Sequence, residues 1–302
     1  MTANVEPWPP NDAGERLRST RFNDVRWSAE TGSTNADLLQ AAAAGLRGPV
    51  VLVTDHQTAG RGRQRRTWYD EPGDSLLVSV LVAGHPAWAG LIPLATGLAA
   101  LGAVESVLGV EPARSPVGLK WPNDVLAAME SELESEPKLA GILVESRIGG
   151  ASGASSARAA TGMAVVIGMG VNLRWSVEPP TEVRERGITL EIVNRRLHGT
   201  PLPPSARNDL LVEYLIALDA ILAELARTGG PEAVLAHYRT RCLTIGRTVS
   251  FDTSEGPVVG NAIDVGPEGE LLVTDGGGRL HHLVAGDAHH RPPEHDSDHE
   301  GE

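Results

Sequence analysis

AGRGRQRRTW, residues 59–68, sets four arginines and two glycines in ten positions of a chain whose formal net charge is -13. Glycine lets the backbone approach a ligand closely, and arginine presents a planar fork of donors matched to carboxylate and phosphate oxygens. The flanks decide where this chemistry sits. VVLVTD (50–55) and SLLVSVLVA (75–83) are β-branched or alternating apolar runs, so both read as strands and the basic stretch is the loop joining them. A loop between two rigid strands suits an anionic ligand, and equally suits a solvated basic face. It is not a Walker-type phosphate loop, because neither Lys nor Ser/Thr follows in the required register.

Working outward, TNADLLQAAAA (34–44) offers a Ser33 or Thr34 cap, good helix formers and a stop at Gly45. A second helix is expected from Pro93 to about Leu108, a third from Ser205 to Leu225 and a fourth over 231–241. VGLK, DVLAA, KLAGILVES and MAVVIGMGVNL read as a second group of strands around the turn WPND. Taken alone, Trp121 is a packing anchor there, Pro122 and Asn123 are turn residues, and Lys138 starts a strand. The glycines of GMGVNL (168–173) mark either a bulge or a close approach of backbone to ligand. Two inserts, MESELESEP (129–137) and GGASGASSARAATG (149–162), read as hairpin loops. From Arg247 short strands recur at roughly ten-residue spacing with Gly-rich turns, the texture of a small all-β barrel.

Composition limits the classes of function. A chain of 302 residues can hold one large and one smaller core. Its acidity argues against general binding to nucleic acid or anionic membrane, so any basic function is local. The single cysteine, Cys242, excludes an internal disulfide, and MTANVEPWPPNDAGERLRST lacks the apolar core of a signal peptide, so a cytoplasmic location is expected. The richest apolar stretch, LIPLATGLAALGAVESVLGV, is interrupted by Pro, Gly and Glu and reads as a core helix rather than a membrane span. Six histidines follow residue 280. His281 and His282 alternate across a strand and the others lie in or near a polar tail, so a metal site there is not the favoured reading. His56 reads as a strand-end residue.

Five motifs occur in one order: GSTN (32–35), DHQTAGRGRQRRTW (55–68), LKWPNDV (119–125), KLAGILVE (138–145) and VIGMGVNL (166–173). Together they resemble the biotin protein ligase (biotin--[acetyl-CoA-carboxylase] ligase) family, in its monofunctional form without an N-terminal DNA-binding domain. The resemblance covers about residues 27–290, including RCLTIGRTV at the start of the β-rich end. It implies an α+β fold, with a mixed β-sheet catalytic domain flanked by helices and a small C-terminal SH3-like β-barrel. The expected division is a loose N-terminal tail over 1–20, a catalytic biotin- and ATP-binding domain over 21–241, the barrel over 242–290, and a disordered acidic tail over 291–302.

The implied activity joins biotin to ATP, giving biotinyl-5'-AMP and pyrophosphate, and then transfers biotin to one lysine of a biotin carboxyl carrier domain of acetyl-CoA or a related carboxylase. By match to the family, Ser33, Thr34, Asn35, Gln57, Gly60, Arg61, Lys138 and Gly141 bind biotin, with Gly141 allowing close packing of the ligand. Arg63, Arg66, Trp68, Asn123 and Asn172 bind ATP or the adenylate, with Trp68 stacking on adenine. Lys138 and Arg63 are the catalytic pair. Magnesium accompanies ATP, with no protein-ligated metal site. The family's arginine loop orders over its ligand, so Arg63→Ala or Gly62→Ala is expected to speed escape of the adenylate.

A lipoate ligase or an octanoyl transferase shares the fold and the acyl chemistry, and a non-catalytic biotin-binding or regulatory protein would share the pocket. Only about 26 residues precede the first core strand, too few for a helix-turn-helix domain, so DNA binding is not expected. A homodimer is compatible with such a sheet. Two departures from the family stand out: the acidic insert after WPND is long, and ITL (188–190) replaces the usual Thr-Ser-Leu. No general base for the transfer step is legible, and Asp124 reads either as that base or as a turn residue.

Overall fold

The structure is a computed structural model that describes residues 13–128, 137–148, 163–253, 256–284 and 288–290. The insert 149–162, the insert 129–137 apart from Pro137, and the tail 291–302 lie outside the described residues.

Seven strands form one mixed sheet: β1 (Val25–Thr31), β2 (Val50–Gln57), β3 (Ser75–Gly84), β4 (Val117–Lys120), β5 (Asp124–Ala127), β6 (Lys138–Ile148) and β7 (Met163–Asn172). Their order is β1-β2-β3-β7-β6-β5-β4, with β1 parallel to β2 and the remaining neighbours antiparallel. Side chains alternate between faces along a strand. On β3, Leu76, Val78, Val80 and Val82 face the main core, whereas Leu77, Ser79 and Leu81 face the other way.

The main core is closed by α3 (Leu91–Leu108), α6 (Ala206–Leu225) and α7 (Gly230–Arg241). The helix α3 begins two residues before the expected Pro93 and is apolar all round, because one side meets the sheet and the other meets α6 and α7. At 18 residues and a mean hydropathy of 1.8 it matches a membrane span in length and composition, yet 78% of it is buried inside the fold. The opposite face of the sheet carries a smaller cluster, in which Leu38 and Ala42 of α2 (Thr34–Ala43) pack on Val50, Leu81 and Val166.

The expected loose segment over 1–20 is corrected for its second half. Residues Ala13–Arg16 form a short helix, α1, Ala13 and Leu17 are 1% and 2% exposed, and Arg16 pairs with Asp209 and Glu213 of α6. Ala13 and Leu17, spaced for one helix face, supply the burial that their polar neighbours mask in the sequence. Two further helices, α4 (Thr181–Arg186) and α5 (Leu190–His198), cross the region between β7 and α6. Thr189 of ITL accepts from the Ile192 N–H and is 1% exposed, so its hydroxyl is the N-cap of α5.

After α7 come β8 (Thr248–Thr253), β9 (Gly256–Val265), β10 (Leu271–Asp275), β11 (Leu280–Leu283) and β12 (His289–His290), a second, wholly antiparallel sheet ordered β11-β10-β9-β8-β12 and consistent with an SH3-like unit. It is joined to the first sheet through Trp121. The Trp121 side chain is 2% exposed, its Nε1–H donates to the Gly269 carbonyl at 2.9 Å, and its backbone N–H donates to Thr244 Oγ1 at 3.0 Å. Trp121→Phe removes the first of these bonds inside a packed junction. The expected loss is about 1–3 kcal/mol of unfolding free energy, read from the urea midpoint; an unchanged midpoint would show that the bond does not hold the two sheets together.

Candidate active site

The site lies on the face of the sheet opposite the main core, over a patch in which three adjacent positions are glycine. Register places Ser79 of β3 beside Gly168 of β7 and Leu143 of β6, and the next row of that face holds Leu77, Gly170 and Gly141. The centre of three paired strands is therefore bare, and two side chains from outside the sheet lie in it. A Cβ on Gly168 would stand 2.3 Å from Asn35 Oδ1, and one on Gly170 would stand 2.7 Å from Trp68 Cε2. A Cβ on Gly141 would meet Lys138 Nζ at 2.8 Å and Trp68 Cζ3 at 3.0 Å. The space at Gly141, expected to admit ligand, is taken here by Lys138 and Trp68.

One end of the resulting cavity is neutral and polar. Ser33, Thr34 and Asn35 open α2 and are all buried. Thr34 sends its N–H to Gln57 Oε1 at 2.9 Å, its Oγ1 lies 2.7 Å from Ser79 Oγ, and Ser79 donates to Asn35 Oδ1 at 2.6 Å. Thr34 Oγ1 also lies 3.1 Å from Gln57 Oε1, so with the Ser79 proton on Asn35 the single Thr34 proton is shared between Ser79 and Gln57. Asn35 Nδ2 then donates to the Leu143 carbonyl at 3.1 Å and to Glu145 Oε2 at 2.8 Å.

The other end is cationic. The loop after β2 is tied to itself by Trp68 N–H to Gly60 O at 3.0 Å and Gly62 N–H to Arg66 O at 2.7 Å, and to the GSTN segment by Ala59 N–H to Gly32 O at 2.9 Å. At its tip Gln64 takes a left-handed φ of 53°. Arg61 donates to Glu145 Oε2 at 2.9 Å and Arg63 donates to Asn123 Oδ1 at 2.8 Å. Lys138 Nζ lies 2.7 Å from Asp124 Oδ1 and 5.7 Å from the centroid of the Trp68 ring. At the stem of the loop, Asp70 Oδ2 accepts from the Gln57 N–H at 3.2 Å and lies 2.9 Å from His56 Nδ1. Burial pushes the Asp70 carboxyl up, opposed by these two hydrogen bonds. His56, expected as a strand-end residue, thus helps fasten the loop.

One cavity joins the two ends. Ser33, Thr34, Asn35 and Gln57 line one end, and Arg61, Arg63, Asn123 and Lys138 line the other, with Trp68 and Gly141 between them. Gly60 and Arg66 line an adjoining cleft over the arginine loop, together with Glu145. Asn172 lines neither; its Nδ2 donates to the carbonyls of Lys138 and Ile188 at 3.4 and 3.3 Å and so steadies the start of β6. Gly62 is extended, with φ -105° and its nearest Cβ contact at 3.5 Å, so alanine fits there and the expectation placed on Gly62→Ala has no steric basis. Gly60 differs, since its Cβ would meet Trp68 O at 2.9 Å.

The sequence reading missed Ser79, Glu145 and the specific work of Gly168 and Gly170. Their signals are a serine in the middle of an apolar strand run and two glycines at the strand period of two. Among the described residues no three His, Cys, Asp or Glu side chains gather to hold a metal. His281 instead contacts Asp275 Oδ2 at 2.8 Å.

Residues 28–172 match the Biotin/lipoate A/B protein ligase family. A biotin--[acetyl-CoA-carboxylase] ligase of Mycobacterium tuberculosis is 38% identical over 268 residues, spanning 87% of this chain and 87% of its own. The bifunctional ligase/repressor BirA of Escherichia coli is 28% identical across 81% of this chain and 67% of its own. Among solved structures, a biotin protein ligase of Aquifex aeolicus in complex with biotin and ATP superimposes with a TM-score of 0.67 at 25% identity, covering 89% of this chain and 99% of that one.

The bare patch generates a prediction. Gly170→Ala drives the Trp68 ring off the sheet, at a cost of about 1–3 kcal/mol, while the chain still folds. The fluorescence attributable to Trp68, obtained by difference from Trp68→Phe, should move to longer wavelength. An unshifted difference spectrum would contradict the seat assigned to the ring.

Proposed function

The chain belongs to the biotin/lipoate A/B protein ligase family, and on that premise we propose that it is an ATP-dependent biotin protein ligase that forms biotinyl-5'-AMP and passes biotin to a lysine of a carboxylase carrier domain. The observation that carries this reading is the two-ended cavity. A ureido head presents two N–H donors and one carbonyl, and the hydroxyl and amide groups of Thr34, Asn35, Gln57 and Ser79 supply partners of both kinds at one end. Leu77 and Leu143 provide apolar wall for the ring and tail. At the far end Arg61, Arg63 and Lys138 supply fixed positive charge in a chain that is acidic overall.

The chemistry requires that separation. ATP enters as its magnesium complex, whose metal is carried mainly by phosphate oxygens. The biotin carboxylate attacks the α-phosphorus; a C–O–P mixed anhydride forms, the bond from the α-phosphorus to the bridging oxygen breaks, and pyrophosphate leaves with the electron pair. Attack brings two anionic centres together, and the Lys138 ammonium and Arg63 guanidinium offset the charge that builds up. Asp124, 2.7 Å from Lys138 Nζ, holds that ammonium in place. The buried Trp68 Nε1–H has no hydrogen-bond partner among the described residues and is a donor available to the bound nucleotide or acid. In the second step the neutral amine of the carrier lysine attacks the anhydride carbonyl, giving the amide and releasing AMP.

A lipoyl or octanoyl acid would bring an apolar head to Thr34, Asn35, Gln57 and Ser79. Polar groups left without a matched partner there cost about 1–3 kcal/mol each, so the cavity favours a ureido compound. A binding protein without catalysis has no use for the ammonium and guanidinium at the reacting end. Pyrophosphate release from MgATP, measured with biotin, lipoate, octanoate or no acid, is expected with biotin alone; release with lipoate alone would overturn the substrate, and silence with every acid would overturn the enzyme. Lys138→Ala should slow adenylate formation about 100-fold or more, as expected for loss of a charge that stabilises the transition state, with biotin affinity changed less than tenfold. A near-normal rate would return Lys138 to a structural role.

A further inference from the structure

Glu145 lines the adjoining cleft and bonds one residue from each end of the cavity, without being part of the chemistry described above. It lies on β6 two residues beyond Leu143, on the same sheet face, and its Oε2 accepts two hydrogen bonds from different elements. One is from Asn35 Nδ2 at 2.8 Å, at the first turn of α2. The other is from Arg61 Nη2 at 2.9 Å, on the arginine loop. A continuous chain of polar contacts therefore runs from Gln57 and Thr34 through Ser79 and Asn35 to Glu145 and out to Arg61. Asn35 is 4% exposed and wedged above Gly168, so it has little freedom to turn without moving its partners. The Arg61 side chain is 43% exposed, and its Glu145 contact ties this part of the loop to β6.

We propose that Glu145 is a positioning residue that transmits occupancy of the neutral end of the cavity to closure of the arginine loop. A ligand head that bonds Asn35 Oδ1 strengthens the hold that Ser79, Leu143 and Glu145 already have on the amide, the amide steadies the Glu145 carboxylate, and the carboxylate keeps Arg61 over the cavity. Hydrogen bonds in such a chain polarise and reinforce one another. The loop then closes when the ring end is filled, before any carboxylate reaches Arg61. This inference rests on the biotin ligase reading, and its test separates the two.

The probe is trypsin, which cuts after the arginines of the loop, with cleavage at 61–66 followed by mass spectrometry. Two ligands are compared: biotin, and its neutral alcohol biotinol, which keeps the ureido ring but has no carboxylate for Arg61. Binding of each is measured separately by calorimetry. In the unaltered protein both ligands should slow loop cleavage tenfold or more. In Glu145→Ala, biotinol should still bind but protect less than twofold, while biotin retains part of its protection through its own carboxylate. Glu145→Gln, which keeps an acceptor but loses the charge, should fall between and guards against a folding defect in the alanine variant. Full protection of Glu145→Ala by bound biotinol would overturn the inference and leave the ligase reading standing. Failure of both ligands to bind the unaltered protein would overturn the ligase reading, and the inference with it.

Discussion

The whole site depends on the absence of side chains at the centre of a sheet. Gly168 and Gly170 stand two apart on β7, so they share a face, and Gly141 of β6 faces Gly170 across the ladder. A strand interior ordinarily disfavours glycine, because it costs backbone entropy and packs nothing. Here the vacancy is filled from above by Asn35 and by the indole of Trp68, at distances that a methyl group would not permit. The start of α2 and the end of the arginine loop are thereby brought onto one floor. Most of the remaining contacts, including Thr34 with Ser79 and Lys138 with Trp68, follow from that placement.

The charges of the reacting end are held rather than left to roam. Arg61 is on Glu145, Arg63 is on Asn123 and Lys138 is on Asp124. Partly exposed pairs of this kind contribute roughly 0–1 kcal/mol to stability, so they serve orientation more than folding. A cation already fixed in space loses little when a developing anion arrives, and that economy is what electrostatic catalysis requires. The overall acidity of the chain sharpens the contrast between this patch and the rest of the surface, which discourages other polyanions from competing for it.

Much of this organisation was legible in the sequence, and the losses have physical causes. Near-continuous apolar runs in SLLVSVLVA and MAVVIGMGVNL mark β3 and β7, and the apolar spacing of Leu210, Tyr214, Leu218 and Leu222 marks α6. The helix α5 is not among the helices expected from the sequence, although its Thr189 cap, its Glu191–Arg195 pair, the terminal Gly199 and the apolar Leu190, Ile192, Val193 and Leu197 are ordinary signals. Residues 13–20 were read as loose because burial there rests on only two apolar side chains, Ala13 and Leu17, set among polar ones. In the site, residues that carry charge or amide groups announce themselves, whereas Ser79 and Glu145 act through partners more than 40 positions away in the chain. Asn172 shows the reverse case, a motif asparagine whose bonds go to the backbone that carries Lys138.

The central claim is that one cavity activates a carboxylate at its cationic end and keeps the product covered by the arginine loop. Its most direct test is to incubate the protein with MgATP and biotin without a carrier, pass it rapidly through a desalting column, and identify the retained small molecule by mass spectrometry. The account predicts biotinyl-5'-AMP in about one copy per cavity. Recovery of unreacted biotin and ATP from a folded protein that binds both would contradict it.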